Sequence, residues 1–404
     1  MGRAYPGAGG KLMTLFYSEY AQQWKATLDS LRTLPDPKVR TVKRGVLLPL
    51  QKRDDCSPDL NAYQGGVCGP DFTFVAGLER NSRAPLYNLA CKKSYVTVGM
   101  DVRQEKVVFG GVIFGHFGHM ILDGMTRLWY HTRIQNGNTK FVFVLQPGAS
   151  STHAERFLKL AGVNYEILRG PTQFQEVIVP DETFHTGEGG NKSWLSWFDW
   201  LKAKARDDVK HSSERWTPEK IYLTRREFAA NDGVGEIVYE SFFKSLGYAV
   251  IAPEKLSLSA QIRHISNATH IVTTMGTMAH MLAFARPDAD VTILLRSPSS
   301  MMPAQLIINK LRGFTWRMID GTRNPLPTGQ SNGCFLYEPT EGFNEWCREN
   351  KLPAVKLSDD ERRLRIIQYL NKWAKRFSDP ANLRYIKNKT AKDFVDSLTK
   401  YFGG

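Results

Sequence analysis

The chain has 404 residues, enough for two domains of ordinary size, and 42% hydrophobic with 11% aromatic residues can fill two cores. No run approaches the roughly 20 apolar residues of a membrane span, and five cysteines without CxxC spacing argue against a disulfide framework or a zinc module. The net charge of +14 predicts an anionic partner, for which nucleic acid, anionic lipid and phosphorylated sugar all qualify.

The polar, glycine-rich N-terminus has no apolar signal core, which predicts a cytoplasmic protein.

Strand and helix signals alternate along the first half of the chain. Strands are predicted at 44–49, 95–98, 107–114, 141–145, 164–168 and 176–179, and helices near 118–135, 151–161 and 194–206. Residues 181–193 form a long glycine-containing loop, and loops of this length tend to be functional or mobile.

Residues 115–129 carry the most informative pattern in the chain. At 3.6 residues per turn, one stripe of a helix, opposite an apolar stripe, contains His119, Asp123, Thr126 and Arg127. A base, a carboxylate and a cation therefore share a face where a strand passes into a helix, the place at which α/β folds bind ligands. Two simpler interpretations stay open. The stripe is a solvated face with Asp123 and Arg127 paired at i,i+4, or His116-x-x-His119 binds a metal, although no third ligand with suitable spacing is visible.

From residue 220 to 320 the hydrophobic pattern switches regularly between the periods of strand and helix. Strands are predicted at 221–223, 248–251, 270–273, 291–295 and 314–319, and helices at 236–246, 258–267, 277–285 and 303–311. Strands that alternate with helices over short loops are typical of a parallel, doubly wound sheet. The second half is therefore predicted to be one Rossmann-like domain.

Two strand ends in this half carry groups suited to a diphosphate. Arg225 and Arg226 directly follow the first strand, and an arginine can hold a phosphate bidentately. Gly276 and Thr277 follow a later strand and open a helix, where free backbone N–H groups face an anion. His280 lies one turn into that helix and is expected to point back toward the same strand ends, at the mouth of the site.

Other phosphate and metal motifs are weak or missing from the sequence. Neither GxxxxGK[ST] nor a GxGxxG after the first strand of either half occurs, and there is no GxSxG nucleophile elbow. Asp288-Ala289-Asp290 has the spacing of an acidic Mn²⁺ or Mg²⁺ motif. It follows Pro287 in a turn, where aspartate is favoured for capping, and we favour that interpretation.

The last 54 residues contain half of the positive excess, with 13 Lys and Arg against 6 Asp and Glu. Ser358-x-x-Glu361 predicts a capping box that opens a helix over 358–377, with Pro380 beyond its end. A second helix is predicted to begin at Thr390. These basic amphipathic helices either lie on a membrane surface or pack on the body of the protein, which we favour.

Four motifs together resemble a known family. They are Gly-His-Phe-Gly-His119-Met-Ile-Leu-Asp123, Ile221-Tyr-Leu-Thr-Arg-Arg226, Pro253-Glu254-Lys-Leu-Ser257-Leu-x-x-Gln261-Ile, and Gly276-Thr-Met-Ala-His280-Met-Leu-Ala-Phe284. On these residues the chain resembles glycosyltransferase family 61, in its bacterial capsular-polysaccharide branch, over residues 107–296.

The resemblance implies an α/β protein of GT-B-like architecture, with two Rossmann-like domains that have parallel doubly wound sheets. The predicted domains are an acceptor domain at 1–212, a sugar-nucleotide domain at 213–345, and basic C-terminal helices at 346–404 that pack back on the first domain. The resemblance also implies an inverting mechanism without a bound metal or another cofactor. We therefore expect the nucleotide sugar to be a substrate.

Two positions depart from the family pattern. Met275 stands where many members have the histidine of a His-Gly-Ala motif, so His280 is the histidine of this segment that could serve the donor. Asp123 and Gly124 stand where bacterial relatives often have Glu-Ser, which keeps the acid on a shorter side chain.

The predicted function is transfer of a sugar from a nucleotide-sugar donor to a glycan or lipid-linked acceptor in cell-surface polysaccharide synthesis. Direct inversion needs a base for the acceptor hydroxyl and positive groups for the departing nucleoside diphosphate. His119 is the candidate base, oriented by Asp123, with His116 in reserve. The donor-binding candidates are Arg225, Arg226, Glu254, Gly276, Thr277 and His280.

Two other classes of protein stay open as alternatives. An inactive GT-B relative that binds glycan without transferring sugar is kept open by Met275. A nucleic-acid-binding protein would suit the net charge, but no recognisable binding motif is present, and we predict no nucleic-acid partner. If the basic tail does contact anionic lipid, the enzyme is peripheral to the inner face of the plasma membrane.

Overall fold

The computed structural model describes residues 14–52, 63–73, 75, 99–134, 138–208, 216–228, 233–326 and 333–378. The strand predicted at 95–98, the helix predicted from Thr390 and the stop at Pro380 lie outside these residues. The chain divides into two compact units. The first unit consists of residues 30–210 and 303–311, and the second unit of residues 1–29, 211–302 and 312–404.

The described part of the chain has both helices and strands throughout. The strands are β1 (Thr14–Tyr17), β2 (Arg32–Thr33), β3 (Val39–Lys43), β4 (Val46–Lys52), β5 (Tyr63–Cys68), β6 (Asp101–Ile113), β7 (Lys140–Leu145), β8 (Tyr165–Leu168), β9 (Thr172–Pro180), β10 (Phe184–His185), β11 (Gly189–Gly190), β12 (Lys220–Leu223), β13 (Gly233–Val234), β14 (Ala249–Ile251), β15 (His270–Thr274), β16 (Asp290–Leu295), β17 (Thr315–Asp320) and β18 (Phe335–Leu336). The α-helices are α1 (Ala21–Ser30), α2 (Phe117–His119), α3 (Thr152–Ala161), α4 (Ser193–Asp207), α5 (Ile237–Ser245), α6 (Leu258–Asn267), α7 (Pro303–Arg312), α8 (Glu341–Glu349) and α9 (Asp359–Phe377).

The second unit is built on a sheet of six parallel strands in the order β14-β12-β15-β16-β17-β1. Its first five strands have the order 2-1-3-4-5 of a doubly wound fold, whose direction of winding reverses between β12 and β15. The parallel sheet predicted for the second half is confirmed. Helix α6 has the predicted bounds, and Ser257 caps it by accepting a hydrogen bond from the backbone N–H of Ala260 at 3.2 Å.

The helix predicted at 277–285 is instead a 3₁₀ helix, Thr277–Phe284. Seven of its eight residues are buried. Because the segment is buried on nearly all sides, its sequence is apolar on nearly all sides. It therefore has no hydrophobic period that could distinguish an α-helix from a 3₁₀ helix.

The first unit has a mixed sheet, not the parallel doubly wound sheet that was predicted. Strands β9, β6, β7 and β8 are parallel neighbours, whereas β3, β4 and β5 pair in antiparallel fashion, with β3 and β4 following one another along β9. The alternation that identifies a strand contains no information about its direction, because side chains alternate equally in both senses.

The two units divide the chain differently from the predicted domains of 1–212 and 213–345. Strand β1 pairs in parallel with β17, so the N-terminal residues belong to the second unit. Residues 303–311 of α7 belong to the first unit. The hydrophobic pattern identifies each element but does not identify the sheet that it joins.

Helix α9 begins with the predicted capping box, in which the Ser358 hydroxyl accepts from the Glu361 N–H and the Glu361 carboxylate accepts from the Ser358 N–H. Its buried face, which includes Tyr369, packs on β13 and β18 of the second unit. The prediction placed this helix on the first domain, whereas the structure packs it within the second unit. An amphipathic pattern shows that a helix has a buried face, but not which surface covers it.

Each unit has its own hydrophobic core. In the first unit, residues of β6, β7 and β9 such as Phe109, Val142 and Val177 are fully buried together. In the second unit, aromatic residues of β12 and α5, among them Tyr222 and Phe243, form the corresponding cluster. Among the described residues, no helix combines the length and the apolarity that crossing a membrane requires.

Candidate active site

The segment after β6 is not the single helix predicted over 118–135. It passes through α2, a π-helical turn at Met120–Gly124 and a 3₁₀ turn at Leu128–Tyr130. Thr126 and Arg127 are each only 2% exposed, so the predicted polar stripe is not a solvated face. Since the helix type changes within the segment, a period of 3.6 residues no longer describes which side chains share a side.

His119 and Asp123 nevertheless lie together, as predicted from their spacing. Nδ1 of His119 is 2.8 Å from Oδ2 of Asp123, and the imidazole is 48% exposed whereas the carboxylate is 4% exposed. A carboxylate only accepts hydrogen bonds, so in the neutral imidazole Nδ1 carries the hydrogen and Nε2 is the acceptor. An exposed imidazole with a buried carboxylate behind it suits a general base.

His116 is a second exposed imidazole beside this pair. Its ring centroid lies 5.4 Å from that of His119 in an edge-on arrangement. Among the described residues, no group of three His, Cys, Asp or Glu side chains comes together as a metal site. The described part of the chain therefore brings no third ligand to the His116–His119 pair, and the role of His116 as a reserve base stays a prediction.

Arg127 was predicted to share a face with His119, and this is wrong. Its buried guanidinium donates to the carbonyl of Pro180, lies 3.4 Å from a carboxylate oxygen of Glu182 and stacks 5.5 Å above the ring of Phe109. Arg127 thus joins the end of β9 to the turn that follows β6, which is a structural role.

The loop predicted at 181–193 contains a short hairpin formed by β10 and β11. Thr186, at its tip, donates a hydrogen bond to Oδ1 of Asp123 at 3.2 Å. Sequence analysis missed this residue because nothing in a single sequence links two positions 63 residues apart. The loop itself was the only signal.

In the second unit, Arg225 and Arg226 lie at the carboxyl end of β12, beside the point where the sheet order reverses. The two side chains differ. Arg226 is paired with Glu240 at 3.0 Å, whereas the guanidinium of Arg225 stacks 5.1 Å above the ring of Phe228. The Nε of Arg225 is buried and has no hydrogen-bond partner within the described part of the chain.

Two buried glutamates support this strand end, and sequence analysis missed both. Glu236 accepts hydrogen bonds from the backbone N–H of Arg225 at 3.1 Å and from the Tyr222 hydroxyl at 3.2 Å. Glu240 accepts from the Thr224 hydroxyl. Burial raises the pKa of the Glu236 carboxyl from 4.5 to about 7.

Glu236→Gln is expected to stabilise the protein at pH 8 and to change its stability little at pH 4. The Glu236 carboxyl has a higher pKa in the folded chain than in the unfolded chain. Protonation of this carboxyl therefore favours the folded chain. The resulting contribution to the free energy of unfolding is fully present below pH 4.5 and is lost as the pH rises through about 7. Glutamine keeps the hydrogen-bond acceptor without the charge. We therefore expect the substitution to raise the free energy of unfolding by on the order of 3 kcal/mol at pH 8.

Thermal unfolding at pH 4, 6 and 8 measures this effect. Glu227→Gln is the matched control, because Lys255 lowers the pKa of that exposed carboxyl and its removal should not stabilise the protein at pH 8. An equal change in stability at all three pH values for Glu236→Gln would contradict the prediction.

Gly276, at the end of β15, was predicted to leave room for an anion. The structure shows a different neighbour: a Cβ at this position would lie 2.2 Å from Nη2 of Arg296. The backbone has φ 134° and ψ −162°, a region that is essentially restricted to glycine. Gly276 therefore admits a guanidinium.

Arg296 directly follows β16 and is 9% exposed. Its guanidinium stacks 4.7 Å above the ring of Phe335, and its carbonyl accepts hydrogen bonds from Thr322 and Asn324 at 2.8 Å each. Sequence analysis missed Arg296, although the signal that selected Arg225, an arginine directly after a predicted strand, is present here too.

The other predicted donor residues differ in exposure. Thr277 is half-buried at the start of the 3₁₀ helix, and Glu254 is exposed just after β14. His280 is 4% exposed, so the structure buries the side chain that was expected at the mouth of the site.

The acidic motif Asp288-Ala289-Asp290 lies at the other edge of the sheet, because Asp290 begins β16. Asp288 is ion-paired with Arg286, and Asp290 with Arg317. Both observations support a capping and pairing role for the motif.

The model of the family Glycosyltransferase 61 matches residues 117–292. The matched region contains His119 and Asp123 of the first unit and Arg225 and Gly276 of the second. No curated protein matches the chain. Residues 117–292 therefore match the pattern of glycosyltransferase family 61, the family that the four sequence motifs resemble.

Proposed function

We propose that the protein is an inverting glycosyltransferase that moves a sugar from a nucleotide-sugar donor to a glycan or lipid-linked acceptor of a cell-surface polysaccharide. The observation that carries the proposal is the pair of His119 and Asp123, an exposed imidazole whose Nδ1 lies 2.8 Å from a buried carboxylate, inside the region of the family match. The capsular branch and the GT-B architecture are retained from the family resemblance.

The proposed reaction is a single displacement. Nε2 of His119 accepts the proton of the acceptor hydroxyl as its oxygen attacks the anomeric carbon. The bond from that carbon to the diphosphate oxygen breaks, and the electron pair leaves with the nucleoside diphosphate. Asp123 holds the hydrogen on Nδ1 and stabilises the imidazolium that forms, as a carboxylate does beside a histidine base.

The second unit supplies the donor site in this proposal. Arg225 and Arg296 lie at the carboxyl ends of β12 and β16, with Gly276 at the end of the strand between them. Parallel sheets bind ligands at this edge, beside the reversal of strand order. Guanidinium groups can hold a diphosphate bidentately and offset the negative charge that develops on it, so we propose a mechanism without a metal ion.

Arg225→Gln is expected to weaken nucleoside diphosphate binding by roughly 10- to 100-fold, the usual worth of a hydrogen bond to a charged group. Calorimetric titration with UDP, GDP and, for a donor that carries a single phosphate, CMP measures this without knowledge of the sugar or the acceptor. Arg286→Gln is the matched control, because Arg286 lies before the opposite end of β16 and is already paired with Asp288.

Two outcomes would contradict the proposed donor site. Equal weakening by Arg225→Gln and Arg286→Gln would place the diphosphate elsewhere. If the unmodified protein bound none of the nucleotides, it would be a glycan-binding relative without transferase activity. The replacement of the family histidine by Met275, which is 4% exposed, keeps this second candidate in view.

A lipid-linked acceptor would place the enzyme at an anionic membrane. Supporting this, α9 presents the exposed side chains of Arg362, Arg363 and Lys375. Leu364 and Ile367 on the same helix are 57% and 50% exposed. Exposed apolar side chains among basic ones suit the surface of an anionic bilayer, and we propose a peripheral contact there.

A further inference from the structure

The tip of the β10–β11 hairpin contacts the carboxylate of Asp123, and this contact has a consequence for the proposed base. We propose that Thr186 is a positioning residue for His119, acting through Asp123. The inference rests on the function proposed above for the histidine and the carboxylate, and it adds a residue that neither the sequence motifs nor the position of the dyad assigns.

Both oxygens of Asp123 have a partner, one on each side. Oδ2 lies 2.8 Å from Nδ1 of His119, and Oδ1 accepts a hydrogen bond from the Thr186 hydroxyl at 3.2 Å. Rotation of a carboxylate about its last side-chain torsion meets only broad minima, so a partner on one oxygen alone leaves its plane poorly defined. A second hydrogen bond on the other oxygen fixes the plane, and with it the direction in which Asp123 accepts from the imidazole.

The hairpin that carries Thr186 is itself joined to the turn that carries Asp123. Thr183 is fully buried, and its hydroxyl donates to the backbone carbonyl of Thr126 at 2.7 Å. The carbonyl of Thr183 accepts from the N–H of Asn191 at 2.8 Å. These bonds hold the base of the hairpin, so the hydroxyl at its tip approaches Asp123 from a constrained direction.

The chemical consequence is the choice of tautomer. A base that removes a proton with Nε2 must carry its own hydrogen on Nδ1, and an acceptor beside Nδ1 is what selects that tautomer. Thr186 supports this acceptor without touching the imidazole. Its removal should therefore lower the fraction of His119 in the Nδ1–H form and lower turnover, with no effect on donor binding in the second unit.

Thr186→Val tests the inference, because valine keeps the shape of threonine and removes the hydroxyl. Nitrogen-15 NMR of histidine-labelled protein, with the His119 signals assigned by a His119→Gln variant, reports the tautomer directly. We expect Thr186→Val to shift His119 away from the Nδ1–H form and to lower turnover in a nucleotide-sugar hydrolysis assay by about tenfold, with UDP, GDP and CMP affinities unchanged. Thr186→Ser, which restores a hydroxyl, should rescue both.

Thr172→Val is the matched control, because it removes a threonine hydroxyl of the same unit that donates to a backbone carbonyl, that of Gly170, away from the hairpin. It should leave the His119 tautomer as it is. An equal shift in Thr172→Val, or an unchanged tautomer in Thr186→Val, would overturn the inference. These results differ from failure of the proposed function, which would appear as full activity of His119→Ala whatever the tautomer in the Thr186 variants.

Discussion

His119→Ala is expected to lower sugar transfer by roughly 10²- to 10⁴-fold, the range that a positioned general base contributes. The variant loses the exposed acceptor that removes the proton from the attacking hydroxyl. Its binding of nucleoside diphosphate should not change, because the groups proposed for the donor belong to the second unit. A screen of nucleotide sugars for hydrolysis and transfer measures turnover, and calorimetry measures the binding.

His116→Ala is the control for this prediction. The two imidazoles are both exposed and their ring centroids are 5.4 Å apart, but the observed carboxylate contact is that of His119 with Asp123. We expect nearly normal turnover for His116→Ala. If it lost activity and His119→Ala kept it, the reserve residue would be the base. Normal turnover of His119→Ala with an intact fold would remove His119 from the mechanism.

Gly276→Ala is expected to destabilise the second unit by more than about 3 kcal/mol. A non-glycine residue in this backbone region costs about 1–3 kcal/mol. In addition, the new Cβ would lie 2.2 Å from Nη2 of Arg296. The buried guanidinium would have to move away to relieve this collision. The displaced arginine should weaken nucleoside diphosphate binding as well. Denaturant unfolding and calorimetric titration measure the two effects.

Gly313→Ala separates the cost of backbone strain from the collision. Gly313 also belongs to the second unit and has a positive φ of 76°, but a Cβ there would have no neighbour within 4 Å. Its substitution should cost only about 1–2 kcal/mol, the left-handed penalty of an L-residue. If the two variants lost equal amounts of stability, the Arg296 side chain would be able to move away at little cost. The close packing at Gly276 would then not position the arginine.

The sequence alone predicted the elements of the second half well. Each strand of the parallel sheet from 220 to 320 was located, and α6 and the capping box of α9 were placed at the correct residues. These signals are local, because a hydrophobic period and a cap involve residues within one element. The contact of His119 with Asp123 was predictable for the same reason, since residues four apart meet on one helical turn.

Only the tertiary structure decided how distant segments combine. In the structure β1 pairs with β17, and β3 and β4 pair in antiparallel fashion with β9. Arg127 is buried, and Arg296 packs against Gly276. It also placed Thr186 on Asp123, across 63 residues. Strand alternation does not specify direction or partner, and a polar side chain in a loop does not indicate which buried group it meets. Those choices follow from the packing of all the elements together, and the pattern of a single segment contains no record of them.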